Sequence, residues 1–246
     1  MTVFTAAPRD TAATWPTPPA PAVQPAFASV LSLPPREFAD SAGTCTAYDA
    51  VKRLIDIVVA SLLLVLLGPL MAAVALAIRM TSPGGALFRQ LRAGQHGRPF
   101  LMYKFRSMRI GSEQHRHHVA HLNQMAGSPV FKAPEDPRIT PLGRWLRRTS
   151  IDELPQLFNV LAGQMSLVGP RPLWLPEAQQ AGLVSQMRTS VKPGLTCLWQ
   201  ISGRSELGYE QWVHLDLYYI QRRSLLLDLL IMCQTAPIVL SGRGAY

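Results

Sequence analysis

A chain of 246 residues, 48% of them hydrophobic and 16% charged, has the length of one to two average domains and enough apolar material for a core, which excludes global disorder. Its 24 Lys and Arg against 15 Asp and Glu leave a formal charge of +9, pointing to an anionic partner: nucleic acid, a membrane surface or a phosphorylated substrate. Cys45, Cys197 and Cys233 are far apart and form no CxxC pair, which argues against a disulfide framework or structural zinc site and for a reducing compartment.

Residues 1–44 carry eight prolines within the first 35 positions, interleaved with Ala, Thr and Ser. Such a composition cannot repay the entropy of folding, so a disordered, polyproline-like leader is expected, and it lacks the basic and apolar regions of a secretory signal. Residues 57–78 then contain no charged side chain. As a helix this stretch is about 33 Å long, close to a bilayer core of roughly 30 Å, and a membrane helix is assigned to 45–80. Gly68-Pro69 lies at its midpoint and predicts a break or kink, because Pro69 cannot donate to the carbonyl of Val65. Basic residues flank both ends: Lys52 and Arg53 before, Arg79, Arg89, Arg92 and Arg98 after. A simple span would export one of these flanks, whereas a re-entrant hairpin keeps both in the cytoplasm. The segment is read as re-entrant, with a kinked span as the other form.

No carboxylate occurs from residue 57 to 112, and the arginines and lysines there suit anionic headgroups. Phe100 to Met108 alternates apolar and basic residues, so a short strand would separate Tyr103 and Phe105 from Lys104 and Arg106. The polar stretch that follows holds His115, His117, His118 and His121; the i, i+4 spacing of His117 and His121 resembles a metal pair, but a solvated loop accounts for it as well.

The densest pattern is LGRWLRRTSIDELPQLFNVL at 142–161. Ser150 and Glu153 have capping-box spacing, with Leu154, Leu157, Phe158 and Leu161 as the buried face of the helix that follows. Pro155 would shift the first helical turn toward Asp152, leaving Asp152 and Glu153 at a helix N-terminus beside Arg147 and Arg148. An ionised aspartate there could attack phosphorus, and a neighbouring carboxylate could hold Mg²⁺. Downstream, Pro170 and Pro172 restrict Arg171, so that its guanidinium is preset for phosphate or carboxylate. The stretch KPGLTCLWQISGR ends on Arg204. Two further helices follow, one striped by Trp212, Leu215, Tyr218 and Tyr219, the other apolar apart from Asp228. Residues 81–246 read as a helix-rich α+β domain, whose amphipathic helices could pack in the core or lie at a membrane interface.

From about Val51 onward, five pieces in order resemble the bacterial sugar transferases, the monotopic phosphoglycosyl transferase superfamily: KRLIDIVVASLLLVLLGPL, FLMYKFRSM, DPRITPLGRWLRRTSIDELPQLFNVLAGQMSLVGPRP, VKPGLTCLWQISGR and LDLYYIQRRSLLLDLLIM. The resemblance implies transfer of a sugar 1-phosphate from a UDP-sugar, UDP-glucose or UDP-galactose, to undecaprenyl phosphate with release of UMP. It assigns Asp152 as the nucleophile of a covalent phosphosugar intermediate and Glu153 as the ligand of Mg²⁺ or Mn²⁺. Lys104, Arg147, Arg171 and Arg204 are assigned to the substrate's phosphates and nucleotide. It further implies a re-entrant helix in the bacterial inner membrane, a cytoplasmic active site, contact with membrane lipid and downstream glycosyltransferases but not nucleic acid, and a minimal catalytic unit that starts exopolysaccharide repeat units. Gly68 stands where relatives commonly have Ser, Gln164 where an acidic residue is frequent, and Cys197 where glycine is usual. Two other readings remain: direct one-step transfer with Asp152 only binding metal, and a non-enzymatic, membrane-anchored basic module that binds acidic lipid or polysaccharide.

Overall fold

The computed structural model describes residues 47–112, 133, 136–180, 182–203 and 207–241. The Pro-rich leader, the histidines at 115–121 and Arg204 lie outside the described residues. The fold is helix-rich α+β. Helix α1 (Ala47–Thr81) has 35 residues, about 52 Å at 1.5 Å per residue, and is long and apolar enough to cross a membrane. It runs uninterrupted through Gly68-Pro69, where the sequence predicts a break. A single proline removes one backbone bond, a loss that a helix can survive when tertiary packing holds the turns on either side.

That packing is present on both sides. Toward the N-terminus of α1, Ala60 is fully buried; toward its C-terminus, Met71, Val74 and Ile78 enter a second cluster with Ala86, Phe105 and Leu146. Polar ties reinforce the first half. Arg53 donates to the carbonyls of Val160 and Leu161 at 2.6 and 2.7 Å, and the buried Asp56 accepts from Ser166 Oγ and the Leu167 N–H at 3.1 and 2.9 Å. Between the anchored ends, Leu62, Val65 and Leu66 are 64%, 79% and 69% exposed.

Strands β1 (Leu87–Ala93) and β2 (Pro99–Phe105) form an antiparallel hairpin pairing Leu87 with Phe105 and Ala93 with Pro99. Its turn places His96 and Gly97 at φ 55° and 73°, and the Gly94 N–H donates to the Arg98 carbonyl at 2.8 Å. Helices α2 (Pro141–Arg148) and α3 (Gln156–Leu161) then lead into β3 (Ser166–Val168). The short β4 (Leu173–Trp174) pairs with β1, making a sheet of order β2-β1-β4. Helices α4 (Leu175–Gln180) and α5 (Gly182–Arg188) precede β5 (Gly194–Thr196), which runs parallel to β3. Helices α6 (Leu198–Ile201), α7 (Tyr209–Arg222) and α8 (Leu225–Ser241) complete the described chain. The main core joins Phe100 and Met102 of β2, Leu157 and Val160 of α3, Leu215 and Tyr219 of α7, and Leu227 and Ile231 of α8. Trp212, Leu215 and Tyr219 of the sequence stripe are buried, whereas Tyr218 is half-buried. Phe158, expected on the buried face of α3, is 50% exposed instead, because Asn159 takes the inward position beside it.

Candidate active site

The site is assembled from the end of one strand and the turn before one short helix. Along β2, alternation puts Phe100, Met102 and Lys104 on one face; the first two are buried, and Lys104 emerges at the margin of the core. β2 is an edge strand, and its open edge is paired by a side chain. Fully buried Asn159 accepts from the Tyr103 N–H at 3.0 Å and donates to the Leu101 carbonyl at 2.7 Å. This clamp fixes α3, and so the turn before it, against the residue next to Lys104.

That turn is a single 3₁₀ turn, Ile151–Glu153. Ser150 precedes it with φ 54°, a left-handed conformation costing about 1–3 kcal/mol in a non-glycine residue, and makes no capping bond. The expected capping box is therefore absent: Glu153 reaches across to Lys104 rather than back to Ser150. α3 begins only at Gln156 after Pro155, so the carboxylates precede a six-residue helix instead of opening one at Asp152.

Glu153 Oε1 lies 2.6 Å from Lys104 Nζ, and its Oε2 accepts from Gln200 Nε2 at 3.3 Å. Asp152, next to Glu153, is buried and only 8% exposed. Burial, opposed first by Lys104, raises its carboxyl from 3.8 to about 6; Glu153 pushes it up, and Arg147 and Arg171 pull it down. Arg147 is delivered by α2, which has a capped N-terminus: Thr140 Oγ1 accepts from the Gly143 N–H at 2.9 Å, with Pro141 opening the first turn. Gly143 allows the helix to touch the loop after β2, since a Cβ there would fall 1.9 Å from the Ser107 carbonyl oxygen. Arg147 Nε consequently donates to Ser107 Oγ at 2.9 Å, and the same cation faces Asp152 and Asp136. Arg148, the other cation that the sequence sets beside the dyad, is exposed.

Arg171 reaches the site by a second close approach. β3 and β5 converge so tightly that a Cβ on Gly194 would lie 2.1 Å from the Gly169 nitrogen, bringing Pro170-Arg171-Pro172 over the start of β5. The Arg171 guanidinium stacks 4.9 Å from the ring centre of Trp199 and 5.7 Å from that of Trp212. Lys104, Glu153, Gln156, Arg171, Cys197 and Gln200 line one cleft, together with Arg92. Asp152 does not line it. Arg106, the other basic residue of the YKFRSM piece, turns away to the carbonyls of Ser82 and Pro83.

Gln156, Gln200, Arg92 and Asn159 are site residues that sequence reasoning passed over. Arg92 reads as one of many cations near the apolar helix, and the cross-chain bond to the Pro172 carbonyl at 3.1 Å distinguishes it. Nothing in the local pattern of the amides separates them from surface glutamine or asparagine. The donor set suits a divalent cation held partly by substrate: two adjacent carboxylates are present, and Lys104 shows that Glu153 already accepts a cation. Among the described residues no group of three or more His, Cys, Asp or Glu side chains could hold a metal by itself.

The sequence matches the model of a family described as bacterial sugar transferase over residues 47–242. It is 41% identical over 205 residues to the undecaprenyl-phosphate galactose phosphotransferase of Salmonella typhimurium, covering 80% of this chain and 42% of that protein. To the UDP-glucose:undecaprenyl-phosphate glucose-1-phosphate transferase of Klebsiella pneumoniae it is 41% identical over 204 residues, covering 79% of this chain and 41% of the relative. The exopolysaccharide production protein ExoY of Sinorhizobium fredii is 37% identical over 198 residues, covering 79% and 88%. The chain thus spans less than half the length of several curated relatives and most of another. The family match takes in the apolar helix, the carboxylate turn and the Arg171 turn alike, and on that basis the chain belongs to the bacterial sugar transferase family.

Proposed function

We propose that this protein transfers a sugar 1-phosphate from a UDP-sugar, with UDP-galactose or UDP-glucose as the donors named for its relatives, to undecaprenyl phosphate. The observation that carries this reading is the Asp152-Glu153 pair among Lys104, Arg147 and Arg171: Glu153, Lys104 and Arg171 line one cleft, and the buried Asp152 is within electrostatic reach of all three cations. In the first step an Asp152 carboxylate oxygen attacks the phosphorus bonded to the sugar. The bond from that phosphorus to the bridging oxygen breaks, and UMP departs with the electron pair. In the second, an oxygen of undecaprenyl phosphate attacks the same phosphorus, the aspartyl O–P bond breaks, and the carboxylate is regenerated. Lys104 and Arg171 neutralise charge on the diphosphate, and Lys104, with Arg147 and Arg171, favours the ionised form of Asp152 against its burial. Glu153, with the substrate's phosphate oxygens, would hold Mg²⁺ or Mn²⁺, which when bound supplies further charge neutralisation. No step requires a group to be protonated by bulk water inside the cleft.

Helix α1 supports a membrane site for this chemistry. Its exposed apolar flank suits a bilayer, while both of its halves pack on the folded body, which supports a site at the inner membrane with the chemistry on the cytoplasmic face; the re-entrant form would need the helix to bend at Gly68-Pro69, where it runs unbroken. On this reading, exopolysaccharide repeat-unit synthesis starts at a surface where a soluble nucleotide sugar and a lipid phosphate meet, and later glycosyltransferases act on the product.

The test is UMP release by detergent-purified protein given a panel of UDP-sugars, Mg²⁺ and undecaprenyl phosphate. Release dependent on the lipid and on one sugar is expected. Asp152→Asn should abolish release while the protein stays folded and membrane-bound. The burial of Asp152 away from the cleft lining favours one second reading, direct attack of the lipid phosphate with Asp152 as a supporting charge. A labelled phosphosugar covalently trapped on Asp152 in the absence of lipid is expected of the two-step route, and failure to trap one from active protein would favour the direct route.

A further inference from the structure

Arg171 does not reach the cleft unaided. Behind it lies a layer of side chains from three helices, none of which lines the cleft. Trp199 of α6 and Trp212 of α7 stack with ring centres 5.0 Å apart at an interplanar angle of 26°. The Arg171 guanidinium lies over both rings, and Arg188 of α5 lies 5.3 Å from the centre of Trp212. Two guanidinium groups therefore approach one indole in the interior of the fold. Arg188 is held there by Asp216 of α7, through Nε at 3.0 Å and Nη2 at 2.7 Å, both on Oδ2. Both side chains of this pair are 1% exposed. The backbone and guanidinium of Arg171 are within electrostatic reach of the same carboxylate.

We propose that the buried Arg188–Asp216 pair, acting through the Trp199–Trp212 stack, is a positioning unit that fixes the guanidinium of Arg171 at the cleft. The physical reasons are two. An arginine side chain at a loop has several rotamers within reach, and stacking on a rigid pair of indoles selects one, so less order is lost when a diphosphate arrives. Asp216 is also tied to Arg171 directly, through its backbone N–H and the charge of its guanidinium, so replacing the pair removes a hold on that residue as well as the support behind Trp212. The inference rests on the reading of Arg171 as a ligand of the donor's diphosphate. It adds Arg188 and Asp216 as positioning residues that touch no substrate, and it explains why an ion pair is retained in the interior, where two apolar side chains would pack without a desolvation cost.

Removing Asp216 alone leaves an unpaired buried guanidinium and can unfold the protein, so the deciding variant replaces the pair together, Arg188→Met with Asp216→Leu. Thermal melting should remain close to that of the unchanged protein, because neither charge is left uncompensated. The kcat/KM for UMP release should fall on the order of 10²-fold, as expected when a substrate clamp is misplaced. Arg171→Ala should give a similar loss, and adding it to the paired variant should change kcat/KM by no more than about twofold. UDP binding followed by calorimetry with Mg²⁺ should show the same non-additivity in affinity, a coupling that a role in stability alone would not produce. Losses that multiply in the triple variant, or a paired variant with unchanged kcat/KM, would overturn the positioning role while leaving the transferase reading intact. Absence of UMP release by the unchanged protein with every UDP-sugar would instead remove the reading of the site, and this inference with it.

Discussion

Asp152 shows how one residue's chemistry is set by its surroundings. Its carboxyl is raised from 3.8 to about 6, chiefly because burial penalises the charge, with Lys104 the strongest opposing influence. Since the ionised form is the nucleophile, kcat/KM should fall tenfold per pH unit below about pH 6 at low Mg²⁺. Excess Mg²⁺, which favours the ionised carboxylates, should move that limb to lower pH. Lys104→Met removes the strongest lowering influence, so the limb should move to higher pH while turnover also drops; an unmoved limb would show that Lys104 does not govern Asp152. Charge and proline spacing pointed to Asp152, Glu153 and Arg171, and the family resemblance added Lys104 and Arg147; the structure brings these five near one another. The unusual backbone of Ser150 and the bond from Gln200 to Glu153 were not legible, because each depends on contacts made from other segments.

Elements in this fold meet through small residues and one amide. Gly143→Ala would force the helix Pro141–Arg148 away from the Ser107 carbonyl, which a Cβ would approach to 1.9 Å. A destabilisation of about 1–3 kcal/mol is expected, visible as a lower melting temperature, together with a loss of UMP release as Arg147 leaves Ser107. Asn159→Leu keeps the size of the side chain but leaves the Tyr103 N–H and Leu101 C=O without their partner, which costs about 1–3 kcal/mol for each buried group. Hydrogen exchange should quicken at Tyr103 while the distant helix Tyr209–Arg222 retains its protection. The secondary-structure pattern marked a strand within Phe100 to Met108, which the structure places at Pro99–Phe105, and both C-terminal helices, since alternation and apolar stripes are local signals. It misread the carboxylate turn as a capping box because Ser-x-x-Glu spacing is the same whether Glu153 folds back or reaches over to Lys104.

At the scale of the whole molecule, the long N-terminal helix is both an apolar surface and a structural member. Leu62, Val65 and Leu66 are exposed, whereas Asp56, Ala60, Met71 and Ile78 are buried against the body. Aspartate at all three exposed positions should move the protein from the membrane pellet to the soluble fraction after carbonate extraction with little change in its fold; retention in the pellet would transfer the anchoring role to another surface. The other end of the chain is locked to this helix: Asp228 of the C-terminal helix accepts from Tyr48 and Lys52, both at 2.8 Å, and from Tyr219 at 2.7 Å. By itself the sequence determined the membrane-compatible helix, the helix-rich α+β class, the carboxylate pair and the cations around it, because hydrophobic periodicity, proline placement and charge are properties of neighbours along the chain. Only the tertiary structure decided that the helix stays whole through Gly68-Pro69, that Asp152 is buried, and that a buried ion pair stands behind Arg171. Those outcomes depend on packing between segments up to about 180 residues apart, where the balance of burial, hydrogen bonding and charge is struck in space.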